Sequence, residues 1–451
     1  MNDLMTRSLS THAQSAGFPY ASPEDTDRSS ALVATVARYA ALLDANGTIN
    51  QYCNKAVGEA SADNYDLSSA GWASLFLQGD RNIYTWGNEI TNRRSSNECS
   101  NLYRVVARAN TVLQALETLD RAPANARSWD ALKGSALFWR ADAFHNLLRN
   151  HALAYHGATA PRIPGIPLPL LPAHARLRSP ATLHDSYCQV IADLQAAIPL
   201  LPAIPLNKLK PARSAGHALL GRVWLSMGAF AEAERSIDSA LGVSDELMDY
   251  HEMNPAAALP FRAFNTETIY HAHGGNALLS IGRARIDPKL YAMYDRHDLR
   301  KRLFFKQNED GTQAFKGHYS GIESVLFVGI ATDELYLAKA ECRARAGDAP
   351  SAMRTLNALL VKRWRRGWFR PLAASTAAHA LTVVLQERRK QLLFRDLRWM
   401  DIKRLNREGA GIGIQRVLNE RTFVLPPNDP RFALPLRHGT EDVSHEEKKT
   451  P

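Results

Sequence analysis

Carboxylates and imidazoles are the first places to look for chemistry in this 451-residue chain. Asp63 with Asp66, or Glu309 with Asp310, could supply an acid and a base. General acid–base catalysis needs the two groups placed across a bound substrate, which near neighbours in sequence seldom provide. His271 and His273 stand two apart, so a strand would aim both imidazoles at one face, half of a metal site. No Cys or nearby carboxylate completes the ligand set, and an exposed or hydrogen-bonded pair is the simpler expectation. His145, His151 and His156 surround a predicted helix end, where imidazoles sit comfortably beside free carbonyls. Gly411-Ile-Gly413-Ile resembles a fragment of a dinucleotide loop, but no strand precedes it and no third glycine follows. No G-x-S-x-G, H-E-x-x-H or Walker pattern occurs. Cys53, Cys99, Cys188 and Cys342 form no C-x-x-C pair, which excludes zinc-ribbon and redox spacings; a Cys53–Cys99 disulfide stays open. These residues predict neither catalysis, nor a metal, nor a cofactor.

The elements that would carry such residues are mainly helices. Ala141, Phe144, Leu148 and Ala152 recur at three- and four-residue steps, one buried helix face over 139–153. Five prolines between Pro161 and Pro172 end it and stiffen a connector over 157–180. Residues 183–198 read as the next helix. Over 214–241, Leu219, Leu220, Val223, Trp224 and Met227 form one stripe, Gly228 breaks it, and Phe230, Ala233, Ile237 and Leu241 form another. This is a helix–turn–helix unit of tetratricopeptide type, about 34 residues long. The plan returns at 332–364, with Leu335, Ala338 and Cys342 before a Gly347-Asp348 turn and Ala352, Met353, Leu356 and Leu360 after it. A further pair is predicted at 101–120 with 130–153, and a last, basic helix at 381–406. Each pair buries its apolar face only by stacking on a neighbour.

Two stretches lack helical period. Residues 58–98 and 243–330 are rich in Gly, Asn and aromatics, and loops on a rigid scaffold are where binding residues gather. The expected fold is all-α, with tetratricopeptide-like helical repeats, a loop-rich insertion and few short strands. The expected divisions are an N-terminal helical region 1–242, the insertion 243–330, a helical region 331–436 and a charged tail 437–451.

Composition excludes fibrous and disordered classes: 45% of residues are hydrophobic and 22% charged. No run of 18 apolar residues is present. Met1 to Phe18 is polar and shows no secretion signal, as would also hold for a trimmed chain. The +10 net charge gathers at Lys362, Arg363, Arg365, Arg366 and Arg370, and again between Arg388 and Arg407. A basic stripe of this kind meets an acidic partner or nucleic acid, or is the solvated side of helices. Trp364 and Trp368, at i and i+4, are expected to cover a core.

Four passages together resemble the SusD/RagB family of surface nutrient-binding lipoproteins. They are Ser61-Ala-Asp-Asn-Tyr-Asp followed by Asn101-Leu-Tyr-Arg-Val-Val-Ala-Arg-Ala-Asn; Arg140-Ala-Asp-Ala-Phe-His-Asn-Leu-Leu-Arg running to Ile166-Pro-Leu-Pro; Asn265-Thr-Glu-Thr-Ile-Tyr; and the stretch from Glu387 to Arg404. The last is the most specific, since Arg398, Trp399, Asp401 and Arg404 keep the family's spacing. Gln391 stands where the family usually has Glu, Arg395-Asp396 replaces Glu-Gly, and the lipoprotein signal and acylated Cys are absent. Phe432-Ala-Leu-Pro-Leu resembles the family's closing strand. The four signature residues are read as structural, with buried ion pairs such as Arg398 with Asp401 fixing the helix.

The resemblance implies non-catalytic capture of an oligosaccharide, or another small nutrient, at the extracellular face of the outer membrane. It further implies delivery to a SusC-like TonB-dependent transporter, membrane contact only through a lipid anchor, and no nucleic acid. Glycan sites pair aromatic platforms with polar partners. The expected ligand residues are Trp72 and Trp86 first, then Tyr84, Tyr65, Asn64 and Asn88 in 58–98, and Tyr319 and His318 in the insertion; Tyr291 and Tyr294 look like a helix stripe. The competing expectations are a repeat scaffold whose basic face binds an acidic protein or nucleic acid, and an α-helical glycoside hydrolase.

Overall fold

The computed structural model describes residues 34–43 (36 excepted), 56–87, 98–171 and 179–436. Cys53, Asn88 and the tail 437–451 lie outside the described residues. Among the described residues, nine long helices carry the body: α1 (Glu98–Glu117), α2 (Ala126–His151), α3 (Leu183–Ala197), α4 (Arg213–Met227), α5 (Phe230–Leu241), α6 (Thr332–Arg345), α7 (Ala349–Leu360), α8 (Ala377–Gln391) and α9 (Arg398–Arg407). They pack as antiparallel neighbours, α1 on α2, α2 on α3, α4 on α5 and α6 on α7, with α5 and α8 both packed on α6. The helical-repeat expectation therefore holds.

The repeat turns are built from glycine. Gly228 (φ 77°) and Gly347 (φ 90°) take left-handed conformations between paired helices, which residues with a Cβ adopt at a cost. Inside α4, a Cβ on Gly221 would meet Ile237 Cγ1 at 2.8 Å, so glycine lets α4 and α5 approach.

The strands are short and pair two by two. β1 (Tyr65–Asp66) pairs with β4 (Arg285–Ile286), β2 (Thr268–Tyr270) with β8 (Ile330–Ala331), β3 (His273–Gly274) with β7 (Leu326–Phe327), and β5 (Phe305–Gln307) with β6 (Gln313–Phe315). All four are antiparallel. β9 (Ile414–Leu418) and β10 (Arg421–Leu425) form a hairpin whose turn residues Asn419 and Glu420 both have positive φ, the two-residue primed turn that matches strand twist. The Gly411–Gly413 stretch leads into this hairpin.

The insertion is bound into the body. Tyr250, Phe261, Phe304, Phe315 and Tyr319 are buried in the same hydrophobic core as Phe138, Trp139 and Phe144 of α2. A second core under Leu337, Leu356, Leu360 and Met400 seals the α6–α7–α8 layer.

Three local expectations change. The helix expected over 381–406 is two helices, because Phe394 (φ 56°) and Asp396 (φ 58°) turn the chain between α8 and α9. Of Trp364 and Trp368, which are not on one helix, Trp364 packs on the second core as expected and bridges to Asp298, while Trp368 is half exposed and lies flat on His297, ring centroids 3.6 Å apart. Phe432-Ala-Leu-Pro-Leu enters from a short 3-10 turn (Pro430–Phe432) instead of a strand; Leu434 N–H donates to Asn150 O at 3.0 Å.

Candidate functional site

The first loop-rich stretch folds into three short helices, Val57–Ser61, Ser69–Ala73 and Gln78–Thr85, with β1 between the first two. Its aromatic residues divide into an inner and an outer layer. Tyr65, Tyr84 and Trp86 are buried around the guanidinium of Arg416 from β9, whose carbon lies 5.3, 3.7 and 4.9 Å from their ring centroids. Arg416 also donates to the carbonyls of Tyr84 (2.5 Å), Ala62 (2.6 Å) and Ala60 (3.3 Å). Among the described residues no carboxylate pairs with this cation; π-faces and carbonyl dipoles surround it, and its Nε is left without a hydrogen-bond partner. Tyr84 Oη accepts from Leu67 N–H, Tyr65 O–H donates to Ala60 O, and Trp86 Nε1–H donates to Ser61 O.

Of the residues expected to touch ligand, Trp86, Tyr84, Tyr65 and Asn64 are thus core groups. Asn64 is also buried and donates to Glu59 Oε1 at 2.9 Å. Burial pushes the Glu59 carboxyl up to about 7. In the insertion, Tyr319 is buried with its O–H on Glu267 Oε2 (2.8 Å), and His318 is buried against Phe315. Burial lowers the His318 imidazole to about 4, so it is neutral near pH 7. The sequence counted aromatic and polar types correctly but had no signal for which of them face inward. Tyr294 is buried too, its O–H donating to Lys390 O.

The outer layer is Trp72 with a residue that sequence reasoning passed over, Phe76. Trp72 is partly buried, its Nε1–H donating to Arg81 O at 3.2 Å. Phe76 is 95% exposed, far more than a phenyl ring usually is. It does not sit on a slack loop. Arg81 Nη2 donates to the carbonyls of Ala73 (3.0 Å) and Leu75 (2.7 Å), and its Nη1 to Gln78 Oε1 (3.3 Å). Ser74 Oγ accepts from Arg283 Nε of the insertion at 3.4 Å. Arg81 thus holds the backbone on the N-terminal side of Phe76 and lies 6.0 Å from the Trp72 ring centroid, and Gln78, Asn82 and Arg283 supply polar groups in the same region. The only signal in the sequence was an apolar Leu75-Phe76-Leu77 run inside a polar loop.

The helix of the signature stretch, α9, packs on the first short helix, Val57–Ser61. Arg398 pairs with Asp63, not with Asp401: Nε and Nη2 donate to Oδ1 and Oδ2 at 2.7 and 2.8 Å. The i, i+3 geometry was available, but a carboxylate brought in by the first loop satisfies the planar fork better. Burial would raise the Asp63 carboxyl, yet Arg398 and then Arg389 hold it well below the usual carboxylate range. Asp401 takes Arg388 (2.8 Å) and Arg404 (2.9 Å), and Arg404 continues to Glu341 of α6. Trp399 is buried and donates to Phe432 O. Through these bonds the four residues join α9 to the first loop, to α6, to α8 and to Phe432.

The second of the two basic clusters is largely absent as a surface, whereas Arg365, Arg366 and Arg370 of the first are exposed. Arg388, Lys390, Arg395, Lys403 and Arg404 are buried. Their charges meet Asp401, Glu387, Asp333 and Glu341, or, for Lys403, the carbonyls of Arg149 and Ala152. The His271–His273 pair is a buried contact, Nε2 to Nε2 at 2.6 Å. Among the described residues no group of three or more His, Cys, Asp or Glu side chains could hold a metal ion. Asp310 is engaged in its own turn with Thr312 and Arg285. No helix is long and apolar enough to cross a membrane among the described residues.

Comparison with known proteins bears out the SusD/RagB resemblance. Residues 21–225 match a SusD-like family described as starch-binding and associating with the outer membrane. Solved structures share the fold along most of the chain. A SusD superfamily protein of Bacteroides thetaiotaomicron is 18% identical, with a TM-score of 0.69 over 89% of this chain and 96% of its own. A putative sugar binding protein of Bacteroides vulgatus is 19% identical, with a TM-score of 0.70 over 89% and 94%. A laminarin binding SusD-like protein is 18% identical, with a TM-score of 0.60 over 83% and 91%. No curated protein matches the chain.

Proposed function

We propose that this SusD/RagB-family protein captures carbohydrate at the extracellular face of the outer membrane and passes it, uncut, to a SusC-like TonB-dependent transporter. The observation that carries the capture step is the almost fully exposed Phe76, next in sequence to a Leu75 carbonyl that Arg81 holds, in the same loop as Trp72. A sugar ring presents C–H groups on one side and hydroxyls at its edge. An aromatic surface receives the first, while Gln78, Asn82 and Arg283 are placed for the second. The matched family's description and the sugar-binding relatives support the same ligand class. Binding and transfer need only a shallow, open face, and two of the carboxylates considered for acid–base work, Asp63 and Asp310, are bonded to arginines or to the backbone.

The basic-scaffold alternative is disfavoured, because most of the cations it needs between 388 and 404 are buried and partnered. Isothermal titration with a panel of soluble oligosaccharides tests the proposal. The expected result is saturable binding without product, weakened at least tenfold in Phe76→Ala and Trp72→Ala. Binding that survives both substitutions would move the site elsewhere, and no binding to any oligosaccharide would sink the ligand class.

A further inference from the structure

A cavity of about 360 Å³ opens on the insertion side, lined by Tyr250, His251, Met253, Pro255, Leu299, Arg302, Leu303, Arg365 and Arg366. That volume lies at the lower end of small-ligand sites, which run about 300–1,000 Å³. One wall is apolar, from Leu299, Leu303, Met253 and Pro255. The mouth is cationic, with the exposed Arg302, Arg365 and Arg366, and none of its lining residues is a carboxylate.

The positive charge is offset only in part nearby. Asp249 is shared by His251 (2.6 Å), Arg366 (3.6 Å) and Lys362 (3.9 Å), and the exposed Glu252 stands between His251 and Met253. The side chains of Arg302 and Arg365 have no carboxylate within ion-pairing distance among the described residues. Elsewhere in the chain arginine after arginine is matched to an acid, as Arg300, Arg363 and Arg398 are. An aromatic platform adjoins the mouth: Arg365 N–H donates to His297 O, Trp368 N–H donates to Arg365 O, and the half-exposed Trp368 ring lies on the His297 ring at 12°.

We propose that this cavity is a subsite for an anionic sugar residue, a uronic acid or a sulfated sugar, within the carbohydrate that the protein binds. The inference rests on the carbohydrate reading above. A sugar of this class has an apolar ring face for the Leu299–Leu303 wall and a planar or tetrahedral anion for the guanidinium forks. Trp368 offers the next ring of the chain a stacking surface.

The test is titration of the full chain and of Arg302→Gln/Arg365→Gln with three probes: tetragalacturonic acid, a chondroitin sulfate tetrasaccharide, and a neutral gluco-oligosaccharide. Both substituted residues are exposed, so the fold is kept. The expected result is that at least one acidic probe binds the parent more tightly than the neutral one. The double variant then loses at least tenfold on that probe and under twofold on the neutral one. Loss on tetragalacturonate alone assigns a carboxylate, loss on the sulfated probe alone assigns a sulfate, and loss on both assigns the shared anion. Acidic binding unchanged in the variant overturns the subsite. Neutral binding without any acidic preference overturns it too, while leaving carbohydrate capture intact. Failure of every probe to bind removes both readings together.

Discussion

Arg398 holds Asp63 across 335 positions of the chain, with both nitrogens of one edge of its fork on both carboxylate oxygens. The pair ties the first loop to the last long helix, and Arg389 joins it from α8 at 3.2 Å.

Asp63→Asn leaves Arg398 and Arg389 facing a neutral amide in a largely buried place. Breaking one side of such a pair costs about 3–5 kcal/mol, and urea unfolding of this variant is expected to fall in that range. The pH sign follows from the carboxyl: its native value lies below the unfolded 3.8. Its contribution is therefore complete above about pH 4 and is lost as the pH falls below that.

Asp396 stands at φ 58°, a conformation in which glycine would carry no penalty. Its carboxylate is held by Arg149, and its Oδ1 accepts from Glu59 N–H at 3.2 Å. Asp396→Ala loses the charge partner and keeps the strain, whereas Asp396→Gly loses only the partner. The alanine variant is expected to be the less stable by about 1 kcal/mol in denaturant titrations.

Lys403 is fully buried, and burial, helped by Arg149, lowers its ammonium to about 7 from the ordinary 10.5. Between pH 7 and 10.5 the unfolded chain binds this proton more tightly than the native one. Stability from this group therefore rises with pH across that window and is at its lowest below pH 7. Unfolding free energies measured from pH 7 to 9 should climb by about 1 kcal/mol per pH unit more in the parent than in Lys403→Met.

Trp72 and Trp86 separate surface from core. Trp86→Ala empties a buried site packed on Arg416 and is expected to cost about 3–5 kcal/mol. Phe76→Ala, on a 95% exposed ring, should leave the thermal midpoint within about 1 °C of the parent. A Phe76→Ala midpoint falling by several degrees would mean the ring has structural contacts, and its assignment to the ligand face would fail.

The helical pairs were legible because a 3.6-residue period survives in any context and Gly228 and Gly347 mark the turns. The four signature positions were legible because they recur at fixed spacing. Their partners were not: Arg398 prefers Asp63, 335 residues away, over its neighbour Asp401, and no local pattern encodes that choice. The same limit applies to the aromatics. Tyr65, Tyr84 and Trp86 are drawn inward by Arg416, a residue that in sequence is one cation of a two-faced strand. The departures from the family pattern now have partners. Arg395 sits over the Tyr319 and Phe327 rings and reaches Asp333, while Gln391 donates to Asp333 at 2.9 Å. Asp396 fills a glycine position by having its carboxylate fastened.

The clasp of Arg416 on Ala60, Ala62 and Tyr84 also orders events during synthesis. A ribosome releases residues 57–86 long before residue 416, so the nascent segment emerges with its aromatic cluster lacking a centre. The cluster of Tyr65, Tyr84 and Trp86 can reach its final form only when the β9–β10 hairpin arrives, nearly the full length of the chain later. Until then, three aromatic rings and the apolar side of the loop are open to chaperones. A chain that ends before residue 416 would leave that aromatic cluster without the cation it packs around.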